Sequence, residues 1–171
     1  VDPTGQVVWN KYYDEYTTYG WGVAVDHDDN AILILGEYDG PDSDIIMIKV
    51  SGNTGVPIWQ RYLASADYYD DFATSIDVDA NNDIFITGWT GDDAVNDQDP
   101  TFLIAKISGV DGTFNNGGWQ KMLPPTTGCN TQLGWGIAVD PAGDVCIVGN
   151  DWTGGPQFIA VVKRNGTTGG V

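Results

Sequence analysis

The sequence predicts an all-β fold built from repeated four-stranded units, and three observations carry that prediction. Turn chemistry is abundant: 23 of 171 residues are glycine, with Asn, Asp and Thr plentiful, a mixture that punctuates short strands. No long helical periodicity interrupts it. One pattern then occurs three times, as GWGVAVDHDDNAILILG from Gly20 to Gly36, FATSIDVDANNDIFITG from Phe72 to Gly88 and GWGIAVDPAGDVCIVG from Gly134 to Gly149. Finally, apolar runs closing on Lys49, Lys106 and Lys163 follow these segments at a constant interval of 57 residues.

Each unit opens on a strand ending in Val-Asp, at Val25-Asp26, Val78-Asp79 and Val139-Asp140. A short polar turn and a second strand follow, closed by glycine, which is hairpin grammar. The third strands read DIIMIK, TFLIAK and FIAVVK. A turn rich in Gly, Asn and Thr comes next. Fourth strands surround Trp9, Trp59 and Trp119 in VVWNKYY, PIWQRYL and GWQKML, with a base two residues on, at Lys11, Arg61 and Lys121. Four short strands in roughly 50–60 residues is the period of a β-propeller blade. Such a sheet cannot bury both faces alone, and stacking of neighbours does so. The fixed tryptophans therefore read as packing anchors within or between blades. Six of the seven bases hold two repeat positions, Arg164 being the exception, and they are expected to pair with acids of neighbouring loops.

The phase of the repeat divides the chain. Residues 1–18 read as the fourth strand of a preceding or closing blade, 19–64 and 65–124 as one blade each, and 125–171 as a blade lacking its fourth strand. Propellers have about four to eight blades, so about three blades read as part of a larger propeller, completed by other blades of the same or a second chain.

Composition narrows function. Net charge is −17, from 24 acidic and 7 basic side chains, a field that repels nucleic acid. No apolar run approaches the roughly 18 residues of a membrane span. Two cysteines, Cys129 and Cys146, are too few for a disulfide framework, and Cys146 lies in an apolar strand pattern where a buried thiol is expected.

The pattern AVD-x-x-G-N-x-x-x-x-G, an apolar strand ending in Lys, then a turn and Trp, resembles the SBBP β-propeller repeat family. It stands here as AVDPAGDVCIVG with FIAVVK and as IDVDANNDIFITG with TFLIAKI, across nearly the whole chain. The Gly-Asn turn of that family is replaced by Asp29-Asn30, Asn82-Asp83 and Gly143-Asp144. The Trp59-Gln60-Arg61 and Trp119-Gln120-Lys121 variant is similar to repeats in large virion proteins of marine phages. The resemblance implies an extracellular, cell-surface or virion setting and structural or adhesive work.

Chemistry has few carriers. Asp77, Asp79, Asn81 and Asp83 form D-x-D-x-N-x-D, similar to the first half of a calcium loop. The glycine after the third ligand and the distal bidentate glutamate are missing, so bonding of the aspartate to turn amides is the preferred reading and calcium the alternative cofactor. Asp26, Asp28 and Asp29 form a weaker cluster of the same kind. The one histidine, His27, sits in a predicted turn with no nucleophile at a motif position, so no catalytic residue is assigned; a glycosidase, using paired carboxylates, is the remote enzymatic alternative. For glycan binding, Trp89, Trp152 and Tyr38 are the candidates, read as loop aromatics beside aspartates. The expectation is a non-catalytic scaffold whose loops contact a surface glycan or protein.

Overall fold

A computed structural model describes residues 3–13, 18–38, 43–63, 70–91, 100–115, 117–122, 131–152 and 158–170. All eleven elements are strands, and no helix occurs among the described residues. The first sheet contains β1 (Thr18–Val25), β2 (Ala31–Tyr38), β3 (Ser43–Val50) and β4 (Pro57–Leu63). The second contains β5 (Asp71–Val78), β6 (Ile84–Gly91), β7 (Pro100–Ile107) and β8 (Trp119–Met122). The third contains β9 (Thr131–Val139), β10 (Val145–Trp152) and β11 (Phe158–Arg164). Strands run in chain order within each sheet, every neighbouring pair is antiparallel, and no sheet closes on itself.

Alternation of side chains along each strand sets which face is buried. Ile32 and Ile34 of β2 and Ile45 and Met47 of β3 meet Ala73, Ile84, Ile86, Leu103, Ala105 and Ile107 between the first and second sheets. Residues of the other parity, Phe85, Phe102 and Ile104, meet Val145 and Ile147 of the third sheet. The middle sheet is thus apolar on both faces, and Ile84-Phe85-Ile86 of β6 and Phe102-Leu103-Ile104-Ala105 of β7 are uninterrupted apolar runs for that reason. The first strand of each later sheet is the main point of contact: β5 lies against β1, β2 and β3, and β9 against β5, β6 and β7.

Two departures from the sequence reading are informative. Pro3–Tyr13 belongs to no sheet among the described residues, although VVWNKYY has strand character. It rests instead on one face of the first sheet. There Trp9 and Tyr13 pack against Ile46, Ile48 and Val50. Cys146 is a free, exposed thiol rather than a buried one, because it points away from the second sheet while its neighbours Val145 and Ile147 point toward it. Cys129 lies outside the described residues.

Candidate functional site

The hairpin turns show what the repeated aspartates do. One oxygen of Asp26 accepts the amides of Asp28 and Asn30 at 2.9 and 2.8 Å. Asp79 accepts those of Asn81 and Asp83 at 2.8 and 2.9 Å, and Asp140 those of Ala142 and Asp144 at 2.9 and 3.0 Å. The chain reverses through a left-handed residue at Asp29, Asn82 and Gly143, with φ of 61°, 67° and 85°.

The strand-three lysines supply the counter-charge, each to the hairpin of its own sheet rather than to a neighbouring unit. Lys49 reaches Asp26 at 2.7 Å, Lys106 reaches Asp83 at 2.9 Å and Lys163 reaches Asp140 at 2.7 Å. The reason is topological: strands one and three flank strand two and end at the same side of the sheet. Burial differs along the series, since the Lys49 side chain is 9% exposed and that of Lys163 54%. Burial by itself would raise the Asp26 carboxyl, but hydrogen bonds from Lys49 and Asn30 and the Lys49 charge hold it below the usual range. The hydrogen bond from Lys163 lowers Asp140 and raises Lys163 in return.

The Asp77, Asp79, Asn81 and Asp83 side chains do not converge on one point. Asp77 accepts the amide of Val139 in the third sheet at 2.7 Å, Asp79 holds its turn, and Asp83 faces Lys106. No group of three or more His, Cys, Asp or Glu side chains gathers as a metal set among the described residues.

Trp59 and Trp119 of the Trp-x-base motif join one sheet to the next, and Trp9 ties its segment to the first sheet in the same way. Trp9 Nε1 donates to the Gly52 carbonyl at 2.5 Å, Trp59 Nε1 to Gly109 at 3.4 Å and Trp119 Nε1 to Gly166 at 3.2 Å. Lys49 Nζ adds a second bond to the Gly109 carbonyl, at 2.8 Å. Each accepting glycine is pressed against the preceding hairpin. A Cβ at Gly52, Gly109 or Gly166 would lie 1.6–1.7 Å from the carbonyl oxygen of Asp29, Asn82 or Gly143. Three residues on, Gly55, Gly112 and Gly169 hold φ of 67°, 70° and 67°, directly against the indole and against the base of the motif. A side chain there would displace both.

At the opposite end of the sheets a row of aromatics crosses all three. Trp21 of β1 meets Phe72 of β5 edge-on at 6.0 Å, Phe72 meets Trp89 of β6 at 4.9 Å, and Trp89 meets Trp135 of β9 at 5.7 Å. Trp89 is therefore a strand residue paired with Phe72, not a loop residue, because the glycines of GWTG lie within the strand. Trp152 and Tyr38 likewise end strands β10 and β2, and their side chains lie outside the described set. The exposed members of the row are Trp21, at 44%, and Trp135, at 48%. Sequence reading passed over both. Each is the extra residue of a β-bulge in the first strand, a position held by Thr74 in the second sheet. Bulges re-aim side chains, and the available signal was the flanking glycines in Gly20-Trp21-Gly22 and Gly134-Trp135-Gly136.

No family model matches the chain, and no curated protein matches it. The likeness to SBBP-type repeats accordingly rests on the residues quoted above.

Proposed function

We propose that the chain is a run of β-propeller blades serving as a non-catalytic structural or adhesive scaffold, within a larger extracellular, cell-surface or virion protein with SBBP-type repeats. The observation that carries this reading is one repeated junction, made twice between successive sheets and once between the Trp9 segment and the first sheet. The same tryptophan-to-glycine bond recurs at Trp9, Trp59 and Trp119, and the first strand of each later sheet is seated on the sheet before it. Repetition of one junction with one geometry is what radial stacking of blades requires. The titratable groups support a structural role, since the hairpin carboxylates are committed to turn amides and lysines. Strands β4, β6 and β8 end at Leu63, Gly91 and Met122, at the end of their sheets away from the hairpins, and the stretches of sequence that follow them differ in length. Variable loops on a rigid frame are where recognition normally sits. Electron microscopy of the purified protein tests the architecture. The expected image has sheets radiating from a common axis, and a flat slab of sheets would overturn the reading.

A second reading, a glycan-binding propeller, is favoured by the aromatic row. Indole faces stack on sugar rings, and Trp21 and Trp135 present such faces to solvent on either side of Trp89. On a glycan array the protein is then expected to retain specific saccharides, and Trp21→Ala and Trp135→Ala each to weaken retention at least about ten-fold. An array without specific retention would remove this reading and leave the scaffold.

A further inference from the structure

The turn that follows each lysine strand has one frame and, in the third unit, a different chemistry. The turns open on Ser51-Gly52 and Ser108-Gly109 in the first two units and on Asn165-Gly166 in the third. In each, a later glycine closes the loop: the amides of Gly55, Gly112 and Gly169 donate to the carbonyls of Ser51, Ser108 and Asn165 at 2.7, 2.9 and 2.8 Å. Asparagine before glycine is a reactive pair. The glycine amide can approach the side-chain carbonyl because no Cβ stands in its way.

The groups around Asn165 are arranged for that attack. Oδ1 of Asp144 accepts a hydrogen bond from the Gly166 amide, the nucleophile, at 3.4 Å and another from Asn165 Nδ2, the leaving group, at 3.3 Å. The other oxygen of Asp144 lies 3.5 Å from Lys163 Nζ, which holds the carboxylate in place. Asn165 Oδ1 accepts the amides of Thr167 and Thr168 at 3.1 and 3.0 Å and the Thr168 hydroxyl at 3.1 Å. Several donors fixed on one carbonyl oxygen stabilise the negative charge that develops there. The other two turns cannot react in this way, because serine has no side-chain carbonyl carbon. Water reaches the tip of such a turn even in units that carry a following sheet: Asn53 and Val110 are exposed, Val110 at 82%. Thr167 and Thr168 are exposed in the same manner.

Going beyond the scaffold reading, we infer that Asn165 is a self-modification site, where the folded turn converts the side-chain amide through a cyclic imide into aspartate and isoaspartate. Asp144 takes the proton of the Gly166 amide as that nitrogen bonds to Cγ of Asn165, and the carbonyl electrons move onto Oδ1. As the carbonyl re-forms, the Cγ–Nδ2 bond breaks, Asp144 passes the proton to Nδ2 and ammonia leaves. Water then adds to either imide carbonyl and opens the ring, with no change of oxidation state. Both products place a second carboxylate beside Asp144. Isoaspartate also lengthens the main chain by a methylene next to Gly166. That glycine has no slack, since a Cβ on it would lie 1.7 Å from the Gly143 carbonyl oxygen, and its own carbonyl accepts Trp119 Nε1. The reaction therefore loosens the junction between the second and third sheets, once per chain.

Peptide mass spectrometry of the 171-residue chain, incubated in buffer and in urea at one pH and temperature, reads the outcome. The Asn165 peptide is expected to gain the mass of an amide-to-acid exchange, with isoaspartyl fragments, at least about ten-fold faster in the folded chain than in urea. Asp144→Asn is expected to remove that advantage while circular dichroism stays unchanged. Asn165→Ser, which installs the residue of the other two turns, is expected to fold and to show no mass gain in this peptide. Conversion no faster in the folded chain than in urea overturns the inference, and this comparison stands even where Asp144→Asn fails to fold. A folded Asp144→Asn chain that converts as fast as the parent overturns it as well. The converted fraction is expected to melt at a lower temperature, and an unchanged melt overturns the loosening of the junction.

Discussion

The sharpest constraints lie on single glycines and aspartates of the turns. Gly109 is held against the Asn82 carbonyl so tightly that a Cβ would fall 1.7 Å from it. Gly109→Ala must displace the hairpin and weaken the Lys49 and Trp59 bonds together. A loss of about 3 kcal/mol or more is expected by chemical denaturation. Asp29 presents the opposite case. It holds φ of 61°, where a Cβ is unfavourable, and turn reversal is carried by Asp26 rather than by its own side chain. Asp29→Gly is therefore expected to gain about 0.5 kcal/mol. Asn82→Gly should not, because the Asn82 side chain accepts the His27 amide and donates to Asp28. Asp26→Asn keeps an acceptor for the turn amides but leaves Lys49 buried without its counter-charge, and a cost of about 3 kcal/mol follows. The same change at Asp140 is expected to have a much smaller effect, since its lysine is largely in water. A double-mutant cycle with each lysine measures the contrast.

At the scale of the element, the fourth strand acts through its tryptophan. Trp59 is buried in the core between the first two sheets, and its ring covers Gly112 in the turn between β7 and β8. Trp59→Phe retains most of the ring contact but loses the bond to Gly109, an expected cost of about 1 kcal/mol. Trp59→Ala opens a cavity between sheets and is expected to cost about 3–5 kcal/mol. Equal losses for the two substitutions, measured by thermal melts, would show that the indole N–H rather than packing dominates the junction. The bulge in each first strand is a second device at this scale. It turns Thr74 toward the third sheet, where its hydroxyl donates to Gly134, and it turns Trp21 and Trp135 outward.

Across the whole molecule, the repeated acid–base pairs set the response to pH. The carboxyls of Asp26, Asp111 and Asp140 lie below their ordinary value in the folded chain. For Asp111 the leading cause is the hydrogen bond from Thr113. A carboxyl lowered by folding contributes stability above its unfolded value, and that contribution disappears as pH falls through the folded one. Melting temperature is expected to drop below about pH 4. Lys163 is raised by Asp140, so its contribution is complete below the ordinary lysine value and fades above about pH 10.4. A melt series across both limits checks the signs; a rise in stability on acidification below pH 4 would contradict the assignment.

The all-β class, the three units, the hairpin aspartates and the tryptophan positions were legible in the sequence. These features depend on local turn chemistry and on strand alternation, and both repeat visibly along a chain. Tertiary structure alone decided which face of each strand is covered. Cys146 and Val148 alternate with Val145 and Ile147 in a run that reads as uniformly apolar, yet only the latter two meet another sheet. It also decided that the lysines serve their own hairpins, because that depends on where strands one and three end relative to each other. Only the flanking glycines hinted at Trp21 and Trp135 as a surface, because a bulge arises from pairing between strands, and pairing is not written in either strand alone.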